Sequence, residues 1–349
     1  VHTFTINNQG SGTTYGIYVT GGASTAGNPS RMISNTITMT NTGSGTSYGI
    51  FNSSSPYDSI LNNTVNVTTL SGSAYSLNNT GSNYSYVRGN IFNAESTTSG
   101  TVYQRSLESC TNSFYVDNVC TLKCNTGTVY HYGMHSSASN SVMTDNTFSL
   151  TNTAGSSILY NYMCNSTSNN CLLRNNSIVV RANSSLYNYM SYTSGYTTID
   201  SNDITLNITG TSGTLYNYMY YGSSSTTLYG FGTITDNNVS ISAPSTCYPF
   251  YMYYIRESNV HRNKIVSIGG SSTHYGFYAN NGSNSKFSNN SYYGYGRSTN
   301  YGMYISGSNN CEFIGNTFVT NGTSTSYGAH MRTSAMTGVK IYNNIFGNL

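Results

Sequence analysis

The charged side chains are the first candidates for chemistry, and they are scarce. Of 349 residues only 7% are charged, with 13 Lys and Arg against 10 Asp and Glu. Enzymes that cut acidic polysaccharides need clustered carboxylates, which bind calcium or act as acid and base, together with a basic residue. Asp117 and Asp145, each directly before an Asn, form with Lys123 the best candidate for such a site. The other acids are scattered, so the sequence favours a protein without catalytic activity.

Histidine and cysteine give no convincing metal site. His131 and His135 would lie on the outward side of one strand, with no carboxylate or Cys in phase with them. The seven Cys have none of the spacings typical of zinc sites. Cys164 and Cys171 flank a single turn and could form a disulfide in an oxidising compartment. We therefore expect neither a metal nor a cofactor.

A repeat must position these side chains. An Asn recurs at intervals of about 28 residues, with a bulky apolar residue three positions before it and another two positions after it. One longer interval indicates an insertion loop around 223–232. The repeated residues are Asn35, Asn63, Asn90, Asn118, Asn146, Asn176, Asn202, Asn237, Asn263, Asn290, Asn316 and Asn344.

Each repeat contains three short stretches that alternate apolar and polar residues, and a Tyr recurs in the second of them. Such alternation is typical of strands with one buried face. The sequence therefore predicts an all-β, right-handed parallel β-helix of about 12 coils, three strands to a coil, as a single domain over 1–349. The repeated Asn, which tolerates the left-handed conformation, would form one bend and stack as a hydrogen-bonded ladder.

Two acids fall in phase with a basic residue of a neighbouring coil, Asp200 with Arg174 and Asp236 with Arg262. Equivalent positions of neighbouring coils lie about 4.8 Å apart, so each pair can meet. We expect two surface ion pairs that each contribute little to stability.

The pattern resembles the right-handed parallel β-helix superfamily with the pectate-lyase-like fold, whose members carry a similar Asn ladder at the same kind of bend. The resemblance covers nearly the whole chain and implies a fold rather than an activity, because the members include pectin-cleaving enzymes, tailspikes, adhesins and fibre proteins. The hydrolase branch would need an Asp cluster, a Gly-His-Gly and an Arg-x-Lys, which this sequence lacks. It is more similar to the non-enzymatic surface and fibre members.

The second strand predicts a contact stripe. If Tyr15 and Ile17 face inward, the opposite side of this strand forms a row of aromatic and Met residues along most of the rod. A row of that length would bind a partner protein or sugar rings. In the alternative, the row that starts at Tyr15 faces outward. The predicted stripe consists of Tyr18, Phe51, Met163, Met190, Met219, Tyr251, Tyr278 and Tyr304.

The two ends predict self-assembly. Phe4 and Ile6 match core positions of a first strand, and so do Ile345 and Phe346, so the chain starts and stops inside the repeat. No capping helix is expected at either end, although solenoids usually need caps. Either subunits stack head to tail, or the chain is part of a longer protein.

Composition narrows the function further. A net charge of +3 makes no patch for nucleic acid, and no apolar run is long enough to span a membrane. The sequence thus predicts an extracellular, non-enzymatic structural rod that assembles with itself into a fibre or forms part of a surface fibre or adhesin. A β-helix that binds or cleaves polysaccharide is the alternative. Ice binding by outward Thr rows, such as Thr36, Thr38 and Thr40, is a minor one.

Overall fold

The computed structural model is all-β and describes residues 1–22, 25–155, 158–166, 168–193, 195–222, 232–296, 298–332 and 336–349. In this part of the chain there is no helix, and hence none that could span a bilayer. The insertion loop predicted around 223–232 lies outside the described residues except for Gly232, which begins a strand.

Three parallel sheets run the length of the molecule, and each coil contributes one strand to each sheet. The chain makes about 11 coils of about 28 residues, close to the number expected, and the parallel β-helix is confirmed. Sheet 1 consists of β1 Thr3–Asn8, β4 Thr36–Asn41, β7 Thr64–Thr69, β10 Ile91–Ser96, β13 Val119–Cys124, β16 Thr147–Asn152, β19 Ser177–Ala182, β23 Asp203–Ile208, β26 Asn238–Ser242, β29 Lys264–Gly269, β32 Ser291–Gly296, β35 Thr317–Gly322 and β38 Ile345–Asn348.

Sheets 2 and 3 complete each coil. Sheet 2 consists of β2 Thr14–Thr20, β5 Ser47–Ser53, β8 Ala74–Thr80, β11 Val102–Glu108, β14 Val129–His135, β17 Leu159–Ser166, β20 Leu186–Tyr189, β21 Tyr192–Thr193, β24 Leu215–Tyr221, β27 Cys247–Tyr253, β30 His274–Asn280, β33 Thr299–Ser306 and β36 Thr325–Arg332. Sheet 3 consists of β3 Arg31–Ile33, β6 Ser59–Leu61, β9 Tyr86–Arg88, β12 Phe114–Val116, β15 Val142–Thr144, β18 Cys171–Arg174, β22 Thr197–Asp200, β25 Gly232–Thr235, β28 Asn259–His261, β31 Lys286–Ser288, β34 Glu312–Ile314 and β37 Lys340–Tyr342.

The core lies between the three sheets and is built from equivalent positions in register. Phe92 pairs with Cys120, which pairs with Phe148, and all three side chains are fully buried. In sheet 3, Ile60 pairs with Val87 in the same way, and both side chains are fully buried. Because the same position recurs on each coil, side chains of one type stack in columns along the rod.

The bend between sheets 3 and 1 carries the predicted Asn on each coil. The residue directly before that Asn, rather than the Asn itself, adopts the left-handed conformation, with φ of 55° at Ser34, 55° at Asn62, 53° at Asp117 and 60° at Asp145. Our assignment of that conformation to the repeated Asn is therefore wrong. Asp and Asn are tolerated there because their short polar side chains bond locally.

Candidate functional site: the tyrosine face

A column of twelve Tyr rings runs along the outer side of sheet 2, and we name it the first Tyr ladder. Each ring stacks on the next, with ring centroids 4.4–5.3 Å apart and planes within 2–25° of parallel. In-register pairing of the strands brings the rings together, as for Tyr130 and Tyr160. The ladder consists of Tyr15, Tyr48, Tyr75, Tyr103, Tyr130, Tyr160, Tyr187, Tyr216, Tyr248, Tyr275, Tyr301 and Tyr327.

A shorter column lies beside the middle of the first and is named the second Tyr ladder. Its rings stack with centroids 4.6–5.5 Å apart, and they also lie 5.4–6.4 Å from rings of the first ladder. Together the two ladders form the tyrosine face, a two-column array of phenols. The second ladder consists of Tyr132, Tyr162, Tyr189, Tyr218, Tyr251 and Tyr278.

Stacking decides which part of each ring is available on the tyrosine face. Inside the ladder a neighbour covers each face of a ring such as Tyr187, so solvent reaches mainly ring edges and hydroxyls. Burial raises the pKa of Tyr160, Tyr187 and Tyr216, and raises that of Tyr132 to about 12 with a further contribution from Tyr130. The face is therefore an uncharged array of hydroxyls at neutral pH.

The aromatic members of the predicted contact stripe lie on the outer side of sheet 2, where Tyr251 and Tyr304 are nevertheless buried among neighbouring rings, and its Met members do not lie there. Tyr18 is 53% exposed, and its ring stacks on Phe51, which lies beside Tyr48 of the first ladder. Tyr251, Tyr278 and Tyr304 also contact ladder rings. Met163, Met190 and Met219 are fully buried in the core. The alternative, in which the row from Tyr15 faces outward, is the observed arrangement.

A local break in alternation explains this error. In β5 a Cβ on Gly49 would lie 2.2 Å from the core side chain of Val65, and the next residue, Ile50, is fully buried. In β17 Met163 and Cys164 are likewise both buried. Two adjacent inward residues reverse the phase of all that follows, so Tyr15 and Tyr18 both face outward despite their odd spacing.

One charged cluster interrupts the second column. Arg105 lies where later coils have Tyr, and its Nη1 is 2.7 Å from Glu108 Oε2, while His135 Nδ1 lies 3.4 Å from Glu108 Oε1. Burial acts to raise the pKa of Glu108, but the hydrogen bond from His135 and the charge of Arg105 leave it lowered. On the tyrosine face, the positive charge of Arg105 and the negative charge of Glu108 therefore balance each other in a half-buried cluster.

The predicted Asn ladder is present and continuous. Each Asn Nδ2 donates to the Oδ1 of the next Asn at 2.9–3.1 Å, from Asn35 to Asn344, and each backbone N–H donates to the same oxygen. The second Nδ2 hydrogen reaches a carbonyl of the preceding coil, as from Asn176 to Met143. Even Asn202 and Asn237, separated by the longest interval, bond at 3.0 Å.

A second interior ladder escaped the sequence prediction. His131 Nδ1 donates to Asn161 Oδ1, Asn161 donates to Asn188, and Asn188 to Asn217, at 2.6, 2.6 and 2.7 Å. These side chains are fully buried, so the placement of His131 on an outward side is wrong. Burial lowers the pKa of His131 to about 4. The signal was the Tyr-Asn-Tyr motif, which recurs at 160–162, 187–189 and 216–218.

The residues proposed for catalysis do not converge. Asp117 lies 3.1 Å from Arg88, and Lys123 lies 2.7 Å from Glu95 on sheet 1. Asp145 accepts hydrogen bonds from Thr144 and from Asn175 on the next coil. Asp117 and Asp145 occupy the same place on adjacent coils, as expected, and both form the bend described above.

Two further predictions concern ion pairs and cysteines. Arg174 bonds Asp200 at 2.8 Å and Arg262 bonds Asp236 at 2.6 Å, which confirms both rung-to-rung pairs. All seven Cys are buried free thiols in the structure, so it contains no disulfide between Cys164 and Cys171, although their side chains interact. Across the described ranges no three His, Cys, Asp or Glu side chains are grouped as metal ligands would be.

A shallow groove on the outer side of sheet 1 also escaped the sequence prediction. It has a volume of about 350 Å³ and is lined by Lys264, Val266, Ser291, Tyr293 and Val319, among others. Tyr293 and, two residues on, Tyr295 are 40% and 42% exposed, and neither ring stacks on another ring of the described residues. Unlike the rings inside the Tyr ladders, these two are not covered by another ring of the described residues, although Val266 and Val319 pair with Tyr293 on the two adjacent strands.

The residues predicted to mediate end-to-end assembly lie at sheet 1. Phe4 and Ile6 are partly buried against the core. Phe346 stacks on Phe318 with centroids 5.7 Å apart and is 42% exposed, and Ile345 is 63% exposed.

Comparisons with protein-family models, with curated proteins and with solved structures find no match for this chain. The fold is a β-solenoid on the geometry alone.

Proposed function

We propose that the protein is a structural rod of a surface fibre or adhesin, located outside the cell. The observation that carries the proposal is the unbroken course of both the Asn ladder and the first Tyr ladder through the same coils. In such a column each side chain is stabilised by the same side chain on the adjacent coils. The arrangement therefore favours an extended rod of many coils. We also propose that the protein is related to the non-enzymatic members of the pectate-lyase-like superfamily.

The contact between coils also supports head-to-tail assembly. In each step of the Asn ladder one coil donates through Nδ2 and the next accepts through Oδ1, so the two sides of the contact differ. Contacts of this heterologous kind generate open filaments when the rotation from one copy to the next does not close into a ring, and stacking along the axis of a rod does not close. A coil from a second copy would repeat at Phe346 the ring contact that Phe346 makes with Phe318.

Low charge density is consistent with such a rod. Equivalent side chains on neighbouring coils lie about 4.8 Å apart, so one charge on each coil would repel its copies. Among the described residues, five pairs join opposite charges of different coils, as in Lys123 with Glu95 and Lys340 with Glu312.

Electron microscopy and sedimentation of the purified chain at high concentration test this function. We expect filaments one rod wide, which Phe346→Asp shortens or abolishes. Ile268→Asp is the matched control, because it places the same charge on sheet 1 at an exposed site away from Phe346. Circular dichroism should show an intact fold in both variants. Single rods at all concentrations in the unsubstituted protein would contradict assembly.

Glycan binding is the second candidate, and the partly exposed, unstacked rings of Tyr293 and Tyr295 favour it. Partly exposed aromatic rings beside polar groups such as Lys264 and Ser291 suit sugar rings, which present C–H groups on one side and hydroxyls at their edges. The Tyr ladders suit this role less well because their ring faces are occupied.

Calorimetric titration with a neutral, β-linked glucose hexamer tests glycan binding. We expect Tyr293→Ala to weaken glycan binding at least tenfold. Tyr187→Ala, which removes a stacked ring from the first Tyr ladder on sheet 2, should leave glycan binding unchanged. The reverse pattern would assign the glycan to the tyrosine face, and no heat of binding would remove this candidate.

A further inference from the structure

The first Tyr ladder places each phenol next to one or two others, and this arrangement bears on radical chemistry. A phenol that loses one electron and its hydroxyl proton becomes a phenoxyl radical, whose unpaired electron is shared with the ring carbons next to the C–O carbon. Two such radicals in contact can join through these carbons as dityrosine. We propose that the first Tyr ladder is a site of oxidative cross-linking, where a haem peroxidase and hydrogen peroxide join Tyr residues of neighbouring coils.

The reaction is balanced by the peroxide. Each of two Tyr gives one electron and one proton, and the two ring radicals form a carbon–carbon bond. Each coupled carbon then releases its hydrogen as a proton while its phenol oxygen regains one, which restores both aromatic rings. The net change is the loss of two hydrogen atoms from the pair, and these reduce one hydrogen peroxide to two waters.

The geometry favours coupling within the rod. Tyr160 and Tyr187 lie 5.3 Å apart and Tyr187 and Tyr216 lie 5.1 Å apart, with planes within 16° of parallel. Nearly parallel planes keep the ring carbons of two neighbours at about the separation of their centroids. Groups held in contact react as if at very high local concentration, so a neighbour on the next coil outcompetes a Tyr on another molecule.

The ladder is also accessible to an oxidant. Eleven of its twelve residues are partly exposed, with Tyr15 and Tyr327 at 37% and 40%, and only Tyr75 is buried. An exposed Tyr without a stacked partner can couple only between molecules. Tyr295 is such a residue with respect to the described rings, although its exposure is similar to that of Tyr327. Ring contact, rather than exposure, therefore decides which Tyr react, whatever the role of the rod.

Treatment of the folded protein with a haem peroxidase and hydrogen peroxide, followed by peptide mapping by mass spectrometry, tests the proposal. We expect dityrosine fluorescence, a mass lower by two hydrogens for each link, and linked peptides one coil apart, such as those of Tyr160 and Tyr187. The yield per molecule should not change on tenfold dilution. Links that fall with dilution, or that centre on Tyr295, would overturn the proposal.

Substitution of one rung provides the matched comparison. Tyr187→Phe keeps a stacking ring but removes the phenol, so we expect complete loss of the links 160–187 and 187–216 and retention of links elsewhere in the ladder. Tyr295→Phe should leave the map unchanged. Urea-unfolded protein, which has no ladder, should give links that depend on concentration. Retention of either link at residue 187 through another residue, or equal maps for folded and unfolded protein, would contradict the assignment.

Discussion

The Asn ladder and the first Tyr ladder each repeat one side chain through the same coils. They differ in how much of that side chain is left accessible to solvent and to reagents. From Asn63 to Asn316 each Asn is buried, and its hydrogen bonds to neighbouring coils occupy its amide and its backbone N–H. The Tyr of the first ladder stack on their neighbours, and except for the buried Tyr75 they remain partly exposed at the surface. The same repeat thus gives stability inside and a chemically available surface outside.

Raising the pH should act on the Tyr ladders, whose phenols ionise, and not on the Asn ladder, and it should have the largest effect. Burial raises the pKa of Tyr187 and Tyr216, and that of Tyr132 to about 12, above the ~10 of an unfolded Tyr. The native state holds these protons more tightly, so their contribution to stability is complete below about pH 10 and is lost as the pH rises through the folded values. We expect cooperative alkaline unfolding, followed by circular dichroism.

Tyrosinate absorbance supplies the control for this prediction. In the native rod it should rise at higher pH than in urea-unfolded protein, because the pKa values of the ladder phenols are raised only in the fold. Coincident titration curves would show that stacking and burial do not protect the phenols.

Asn176→Ala should break the inner ladder at its centre. It leaves the backbone N–H and the Nδ2 of Asn146 without their acceptor, and the Met143 carbonyl without its donor. Buried polar groups without partners cost about 1–3 kcal/mol each, so we expect the free energy of unfolding to fall by about 3 kcal/mol. Urea denaturation gives the shift in midpoint, and Asn207→Ala, on the outer side of sheet 1, should stay within about 0.5 kcal/mol.

A buried carboxylate shows why an amide suits the interior ladder better than an acid. The amide of Asn stays uncharged at every pH, whereas a buried carboxylate is destabilised when it ionises. Asp58 is fully buried and accepts a hydrogen bond from Asn52 at 2.6 Å, and its pKa is raised to about 6, chiefly by burial. Because the native state binds this proton more tightly, its contribution is complete below about pH 4 and is lost as the pH rises through 6. The contribution of Asp58 alone should fall by about 2 kcal/mol between pH 4 and pH 7. The buried His131 and His274, whose pKa values are lowered to about 4, act in the opposite direction over the same range.

Asp58→Asn tests this assignment through the pH dependence. Relative to the unsubstituted protein, the variant should gain about 2 kcal/mol of stability between pH 4 and pH 7 in urea denaturation, whereas the exposed Asp203→Asn should follow the unsubstituted protein. An unchanged slope in Asp58→Asn would show that another group is responsible.

Tyr187→Ala should have the smallest effect, although it removes a ring from the middle of a ladder. The two lost ring contacts, at 5.3 and 5.1 Å, contribute about 1 kcal/mol each at most, and the site faces solvent. We expect a loss of about 1 kcal/mol for Ala and less than about 0.5 kcal/mol for Phe, read from urea midpoints. A loss equal to that of Asn176→Ala would abolish the distinction between the two ladders.

The repeat and the Asn ladder were predictable because each rung imposes the same requirement on the sequence. A buried amide at one bend needs Asn there on every coil, and apolar residues at fixed offsets place its strand in the core. Asn35 and Asn344 could thus be assigned from spacing alone, and the structure confirms them.

The orientation of the second strand could not be derived in this way. Alternation fails where two adjacent residues face inward, as at Gly49 and Ile50 or at Met163 and Cys164, and no residue type marks that break consistently. The groove beside Tyr293 depends on the shape of the outer side of sheet 1, which the inward pattern does not specify.

The bond between Asn202 and Asn237 has a practical consequence for protein engineering. Their amides meet at 3.0 Å although the chain between them is longer than in any other coil. The rungs are therefore kept in register by the strands, and the length of the connection between β24 and β25 is free to vary. A foreign peptide could therefore be inserted in this connection. The rod would display it at one defined coil without disturbing the core or the Asn ladder.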